Sequence, residues 1–369
     1  MAEEKKLRVS YGYFEATGTI NVTPDSFQTD LKGKNSPTYQ YSRINLKMED
    51  ENGNTFYLNA MDGFDTVKGK TIYANIKDST SNEQMQISFA DRKNEEILKH
   101  IDNRSFVSVA LQKVENEEGK KVWDYKNFLA LYDAINFIKD RFETGMKIRV
   151  TGQTRYSTYN DSLNKDYQIN NIYLLSDEDT YETGFTFRQD VILKEDSVDM
   201  SEWDEKLIAK IDAEVLTKSK GVYSLLKLPL VVRGKEEDKE KRKLVIEKYL
   251  TVSEGKVRRI KLEGKYKVGY EAGKLAEDEL PEEALELIEL GLYDKEEVMK
   301  MYVNRDRVDE MAIIRPVVQR RQGEKPRIDM SDEEYTLEDL DSLQIELPIE
   351  KEIKVESDSD DLSFLDELD

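Results

Sequence analysis

Between residues 7 and 175, apolar side chains recur at every second position in short runs punctuated by Gly, Asn and Pro. A period of two sends successive side chains to opposite faces of an extended strand, so the pattern dictates strands with one buried face. The runs are LRVSYGYFEATGTINV (7–22), TYQYSRINLKM (38–48), NTFYLNAM (54–61), KTIYANIK (70–77), QMQISFA (84–90), SFVSVALQKV (105–114), MKIRVTG (146–152) and YQINNIYLL (167–175). Two stretches break the rhythm with helical spacing, NEEILKHI (94–101) and FLALYDAINFIKDRF (128–142). Many short strands around one or two inserted helices predict a mainly β protein built on a small barrel, not a doubly wound parallel sheet.

SDEDTYET (176–183) reads as a linker that ends a first domain at residue 176. A second β-rich domain is expected over 184–320, with strands at 184–194, 209–217, 224–233, 243–252 and 257–270 and a closing strand at 308–318. LPEEALELIELG starts with Pro and ends with Gly, which predicts a helix over 281–290; a second is expected over 294–303. GMKIRVTGQTRY (145–156) and GKVRRIKLEGKYKVGY (255–270) share a basic-apolar strand that ends in Gly. Two similar barrels would explain that echo, and so would shared strand composition.

Charge is distributed unevenly. The chain of 369 residues carries a net charge of −21, of which residues 328–369 hold −15, with 17 acids against Lys351 and Lys354. So much self-repulsion with so few apolar side chains predicts a disordered acidic tail. Basic residues concentrate instead at 227–268 and 301–327.

The chain has no Cys and a single His, His100, which removes thiolate metal sites, multi-His zinc sites and Ser-His-Asp chemistry. VKGKT (67–71) lacks the upstream Gly of a phosphate-binding loop, because Phe64 stands at that position. No enzyme activity, cofactor or metal is expected. No apolar run approaches the ~18 residues of a membrane span, so a soluble cytoplasmic protein is expected.

The face of the strands turned away from the core is unusual. In TYQYSRINLKM it carries Tyr39, Tyr41, Arg43, Asn45 and Lys47; in NTFYLNAM, Tyr57; in KTIYANIK, Tyr73 and Lys77; in MKIRVTG, Lys147 and Arg149. The hairpin RYSTYNDSLNKDYQINNIYLL adds Arg155, Tyr156, Tyr159, Lys165 and Tyr167. Tyr rings offer flat surfaces for unpaired bases, and interleaved cations track phosphates. Asn45 aside, these fourteen residues are therefore the expected DNA-binding set.

GMKIRVTGQTRYSTYNDSLNKDYQINNIYLL, a strand ending V-x-G followed by a Tyr-rich hairpin and a closing strand, resembles the later strands of OB-folds. With the acidic tail ending DDLSFLDELD, the chain resembles OB-fold single-stranded-DNA-binding proteins, and a tailed-bacteriophage version is the form expected. That resemblance implies an OB-like barrel in residues 1–176 and action in DNA replication, recombination or repair. It also implies a tail that recruits a polymerase, helicase or primase. Asp360, Asp361, Leu362, Phe364, Leu365 and Leu368 are the expected partner contacts, although Phe364 is not the terminal residue. The competing expectation is a non-catalytic phage structural, assembly or protein-interaction protein.

Overall fold

The alternation in TYQYSRINLKM survives intact in the computed structural model: Ile44, Leu46 and Met48 are buried, while Arg43, Asn45 and Lys47 face outward. The structure describes residues 6–79, 83–159, 162–219, 221–272, 281–290, 298, 305–320, 323 and 325–343. That strand belongs to β2 (Ser36–Glu49), which pairs antiparallel with β1 (Gly12–Asn21) and β3 (Thr55–Asp65). A hairpin of β4 (Lys147–Tyr159) and β5 (Ser162–Leu174) returns β4 to the other edge of β1 and lays β5 beside β3. The strands thus run 1-2-3-5-4 around a barrel. A hairpin of Val107–Glu115 and Lys121–Phe128 extends the sheet parallel to β5, and the second of these strands has no counterpart among the expected runs.

The second half repeats this order. Its strands are β6 (Gly184–Leu193), β7 (Ile208–Ser219), β8 (Val222–Arg233), β9 (Arg258–Ala272) and β10 (Arg305–Pro316). β6 pairs with β7, β7 with β8, β10 with β9 and β9 with β6, all antiparallel, and β8 pairs parallel with β10 at Val231 opposite Ala312. Hydrogen-bonded ladders therefore close a five-stranded barrel in the order 6-7-8-10-9. In each half a helix falls between the third and fourth strands, α1 (Leu131–Ile138) in the first and α2 (Lys239–Val245) in the second.

α2 corrects an expectation, since 243–252 reads as a strand by sequence. A strand would put Ile246, Lys248 and Leu250 on one face. The helix and the π turn that follows it (Ile246–Leu250) bury Ile246 and Leu250 while leaving Lys248 in water. The helix expected over 281–290 is α3 (Glu282–Glu289), and the one expected over 294–303 falls almost wholly outside the described residues.

The echo between IRVTG and IKLEG is a structural correspondence. Gly152 on β4 lies opposite Phe14 on β1, and Gly264 on β9 lies opposite Phe187 on β6. A Cβ on Gly152 would sit 2.0 Å from the Gln168 carbonyl oxygen and 2.8 Å from the Phe14 ring; one on Gly264 would sit 2.3 Å from both the Ala312 carbonyl oxygen and the Phe187 ring. A ladder irregularity adjoins each glycine, at Ile169/Asn171 and at Glu263/Gly264. Both glycines let an aromatic ring cross a strand at the same place in the two barrels. Gly152→Ala and Gly264→Ala are each expected to destabilise the chain by about 1–3 kcal/mol or more, read as a lower urea midpoint, because backbone blocks the added methyl. A neutral result at both positions would break the correspondence.

β1 and β6 also pair with each other, antiparallel, from Gly12 opposite Gln189 to Thr17 opposite Gly184. Phe14 and Phe187 meet at the middle of this ladder, so the two first strands are joined about a local pseudo-twofold axis.

The acidic stretch begins inside the fold. Ile328 and Met330 lie in short strands, α4 (Leu337–Asp341) follows, and Asp329, Tyr335 and Leu340 are buried. Arg258 pairs with Asp332 at 2.7 and 2.8 Å, and Arg259 reaches Asp190, Asp329 and Glu334. Acids that composition marks for solvent thus find the basic strand β9, and the segment belongs to the fold as far as residue 343, where the described residues end. Hydrogen bonds from Arg258 hold the Asp332 carboxyl below its usual range. Burial pushes Asp329 up, but hydrogen bonds from Gln319 and Arg259 outweigh it and leave it lowered too. Both folded values lie below the unfolded one, about 3.9. The stabilisation is therefore complete above that pH and lost as pH falls through the lower folded values. Limited proteolysis should cut residues 328–343 faster below about pH 4 than at pH 6.

Candidate nucleic-acid interface

β2 and β3 present their outer face as paired rows. Lys47 stands opposite Tyr57, Asn45 opposite Asn59, Arg43 opposite Met61, Tyr41 opposite Gly63 and Tyr39 opposite Asp65. The inner face of the same strands is apolar, with Leu46, Met48, Phe56 and Leu58 at 3% exposure or less, so core packing fixes which side chains must point out. Tyr39 and Tyr41 stack with ring centroids 6.0 Å apart and planes 24° from parallel, over the bare backbone of Gly63. Burial, followed by the nearby Asp62 carboxylate, raises the Tyr39 phenol above its ordinary value.

Charge on this face is available. Arg43 donates from Nε to the Gln28 amide oxygen at 2.5 Å and has no carboxylate partner among the described residues. Lys47 lies 3.7 Å from Glu49, a loose surface pair. Tyr57 and Met61 are exposed, at 49% and 64%. Asn45 and Asn59 face each other across the ladder, exposed at the centre of two strands where Asn is disfavoured. Such a surface is chemically able to stack flat rings and receive phosphates, with two amides left for ring edges.

Five of the expected residues, Tyr39, Tyr41, Arg43, Lys47 and Tyr57, share this face. The others do not join it. Tyr73 and Lys77 are exposed but belong to a separate hairpin of Thr71–Asn75 and Gln84–Ser88. Lys147 lies 3.7 Å from Glu51. Arg149 is held in a fork by Glu15 at 2.8 and 3.0 Å and lies over Tyr173 and Tyr181, so its charge is spent inside the protein. Arg155 is exposed in a groove that it shares with Tyr11 and Lys218.

Tyr156 is a clear correction. It is 7% exposed, donates to the Gln189 side chain at 3.0 Å, and burial raises its phenol well above the ordinary value. Tyr167 likewise packs against Phe14 and Phe56, with centroids at 4.8 and 5.0 Å, and burial raises its phenol strongly. Lys165 lies over the Tyr266 ring at 5.8 Å, and burial lowers its ammonium despite Asp309. The hairpin that sequence reads as a gripping mouth turns these side chains toward the second barrel, which covers them. The Tyr159 side chain lies outside the described residues, as do Asp360, Asp361, Leu362, Phe364, Leu365 and Leu368.

Sequence reading missed a second aromatic cluster. Tyr173 meets Trp123 at 5.3 Å and Tyr125 at 6.1 Å, beside Arg149 and Tyr181. Its cations are compensated, Arg149 by Glu15 and Lys113 by Asp179. The alternation in KVWDYKNF was the available signal.

The second barrel offers an internal comparison. Superposing the ladders puts Asp212 and Pro229 where the first barrel has Lys47 and Tyr57, Lys210 and Val231 at Asn45 and Asn59, and Ile208 and Arg233 at Arg43 and Met61. Lys210 pairs with Glu202, and Arg233 with Glu310. The corresponding rows carry no aromatic side chain.

No protein-family model matches the sequence, and no curated protein matches it. Among solved structures the chain is similar to the wild-type single-stranded DNA binding protein from Thermus aquaticus, at 10% identity and a TM-score of 0.30, over 70% of this chain and 85% of that one. It is similar to a deletion mutant of the same protein at the same identity and TM-score, over 70% of this chain and 87% of that one. A likeness this low carries no weight in the assignment of function.

Proposed function

We propose that the chain binds single-stranded DNA on the outer face of β2 and β3 and acts in replication, recombination or repair. One observation carries this reading. Two barrels of the same strand order differ at matched outward positions, where Arg43, Asn45, Lys47, Tyr57 and Asn59 of one correspond to Ile208, Lys210, Asp212, Pro229 and Val231 of the other. Strand propensity favours Tyr equally in both, so it does not account for the difference. Tyr39, Tyr41 and Tyr57 stack on bases, Arg43 and Lys47 take phosphates, and Asn45 and Asn59 meet base edges. A duplex hides its base faces, so this surface selects single strands. In this reading residues 344–369 recruit replication partners through Asp360, Asp361, Leu362, Phe364, Leu365 and Leu368.

Titrating oligo-dT into the full chain should quench tyrosine emission, and the affinity should exceed that for a duplex of equal length. It should also fall with salt, with a slope of roughly 0.7 per phosphate neutralised. Equal affinity for duplex, or no quenching at saturating oligo-dT, would overturn the reading in favour of a protein-interaction role.

A further inference from the structure

We propose a second ligand site, for a nucleoside phosphate, in the groove between the two barrels. The groove encloses about 510 Å³ and is lined by the segment Val9 to Gly12, by Gln153 to Tyr156 on β4, and by Thr217, Lys218 and Gly221 at the β7–β8 turn. That volume is within the range of small-molecule sites, roughly 300–1,000 Å³, and its place between two folded units is a common one for them.

The lining is distinctive for its charge. In a chain with 77 acids against 56 bases, this groove contains Arg155 and Lys218 and not one carboxylate. Both cations are exposed, and neither has an ion-pair partner among the described residues. Lys218 lies over the Tyr223 ring at 4.2 Å, which leaves its ammonium without a counter-charge. Tyr11, 56% exposed, forms one wall, and Gly221, with nothing within 4 Å of where a Cβ would stand, keeps the approach open. A guanidinium fork with an ammonium fits phosphate oxygens, and a bare phenol ring beside them fits a base. An anion attached to a flat ring satisfies both, and it comes either as a free nucleotide or as one unit of a strand.

The site is separate from the β2–β3 face and does not depend on it. The test is calorimetric titration of the full chain with thymidine monophosphate, alongside salt-dependent binding of oligo-dT. The Arg155→Gln/Lys218→Gln double variant changes only exposed side chains. It should weaken thymidine monophosphate at least tenfold if free nucleotides are the ligand. If the strand is the ligand, it should lower the oligo-dT salt slope by about 1.4, the value for two phosphate contacts. Either effect supports the site. Tyr41→Ala, which touches only the face, should leave both effects in place, so failure of one reading is distinguishable from failure of the other. A double variant that matches the wild type with both ligands overturns the proposal.

Discussion

Replacing Tyr39 and Tyr41 together by alanine is expected to remove roughly 2–6 kcal/mol of affinity for oligo-dT, since each stacked base contributes about 1–3 kcal/mol. That is a loss between about thirtyfold and twenty-thousandfold. The two rings touch, so the double variant should depart from the sum of the singles, and the cycle measures how far they act as one platform. Neither ring belongs to the buried core, so the thermal midpoint should move little. Tyr73→Ala is the matched control, an exposed strand tyrosine on another hairpin, and should leave affinity unchanged. Equal losses from Tyr73→Ala and Tyr41→Ala would show that tyrosine content, not this face, governs binding.

The largest stability effect is expected at Arg259. Its side chain is 6% exposed and contacts Asp190 at 3.1 Å and Asp329 at 2.7 Å, themselves 1% and 4% exposed, and Glu334 at 2.5 Å. Arg259→Ala leaves buried carboxylates without their main partner, a change that typically costs about 3–5 kcal/mol. Lys261, at 3.7 and 3.6 Å from Asp190 and Asp329, should offset part of this. Adding Asp329→Asn to Arg259→Ala should therefore restore part of the loss. Urea denaturation of the two singles and the double measures it, and a loss below about 1 kcal/mol for Arg259→Ala would mean that Lys261 and water suffice.

Strand faces were legible in the sequence because period two is a local property: Ile44, Leu46 and Met48 had to share a side. What lay beyond local pattern was which faces a second unit covers. Tyr156 and Tyr167 fall in step with the inward Ile148, Val150 and Ile169, so their turn away from solvent could be read locally, but not their cover by Gln189 and Tyr266 of the neighbouring barrel. Arg149 reads as a spare cation until β1 brings Glu15 against it. Residues 243–252 show apolar spacing that suits strand and helix alike, and only the exposure of Lys248 separates the two. Composition marks 328–343 for solvent because it cannot register that Arg258 and Arg259, some seventy residues earlier, wait as partners. Of the candidate face, the residues on β2 and β3 were readable and their union into one surface was not, since it depends on which strands become neighbours.

The ladder between β1 and β6 has a mechanical consequence. Force applied to one barrel passes to the other through backbone hydrogen bonds, without a flexible tether in between. β1 cannot leave its own barrel without stripping an edge from its neighbour, so the two halves should melt in one calorimetric transition, not two. The relative orientation of the tyrosine face and the inter-barrel groove is then set by the ladder, as two marks on a rigid ruler are. A nucleic-acid strand that touched both would have to bend to fit the protein, because this ladder leaves no joint between the two first strands.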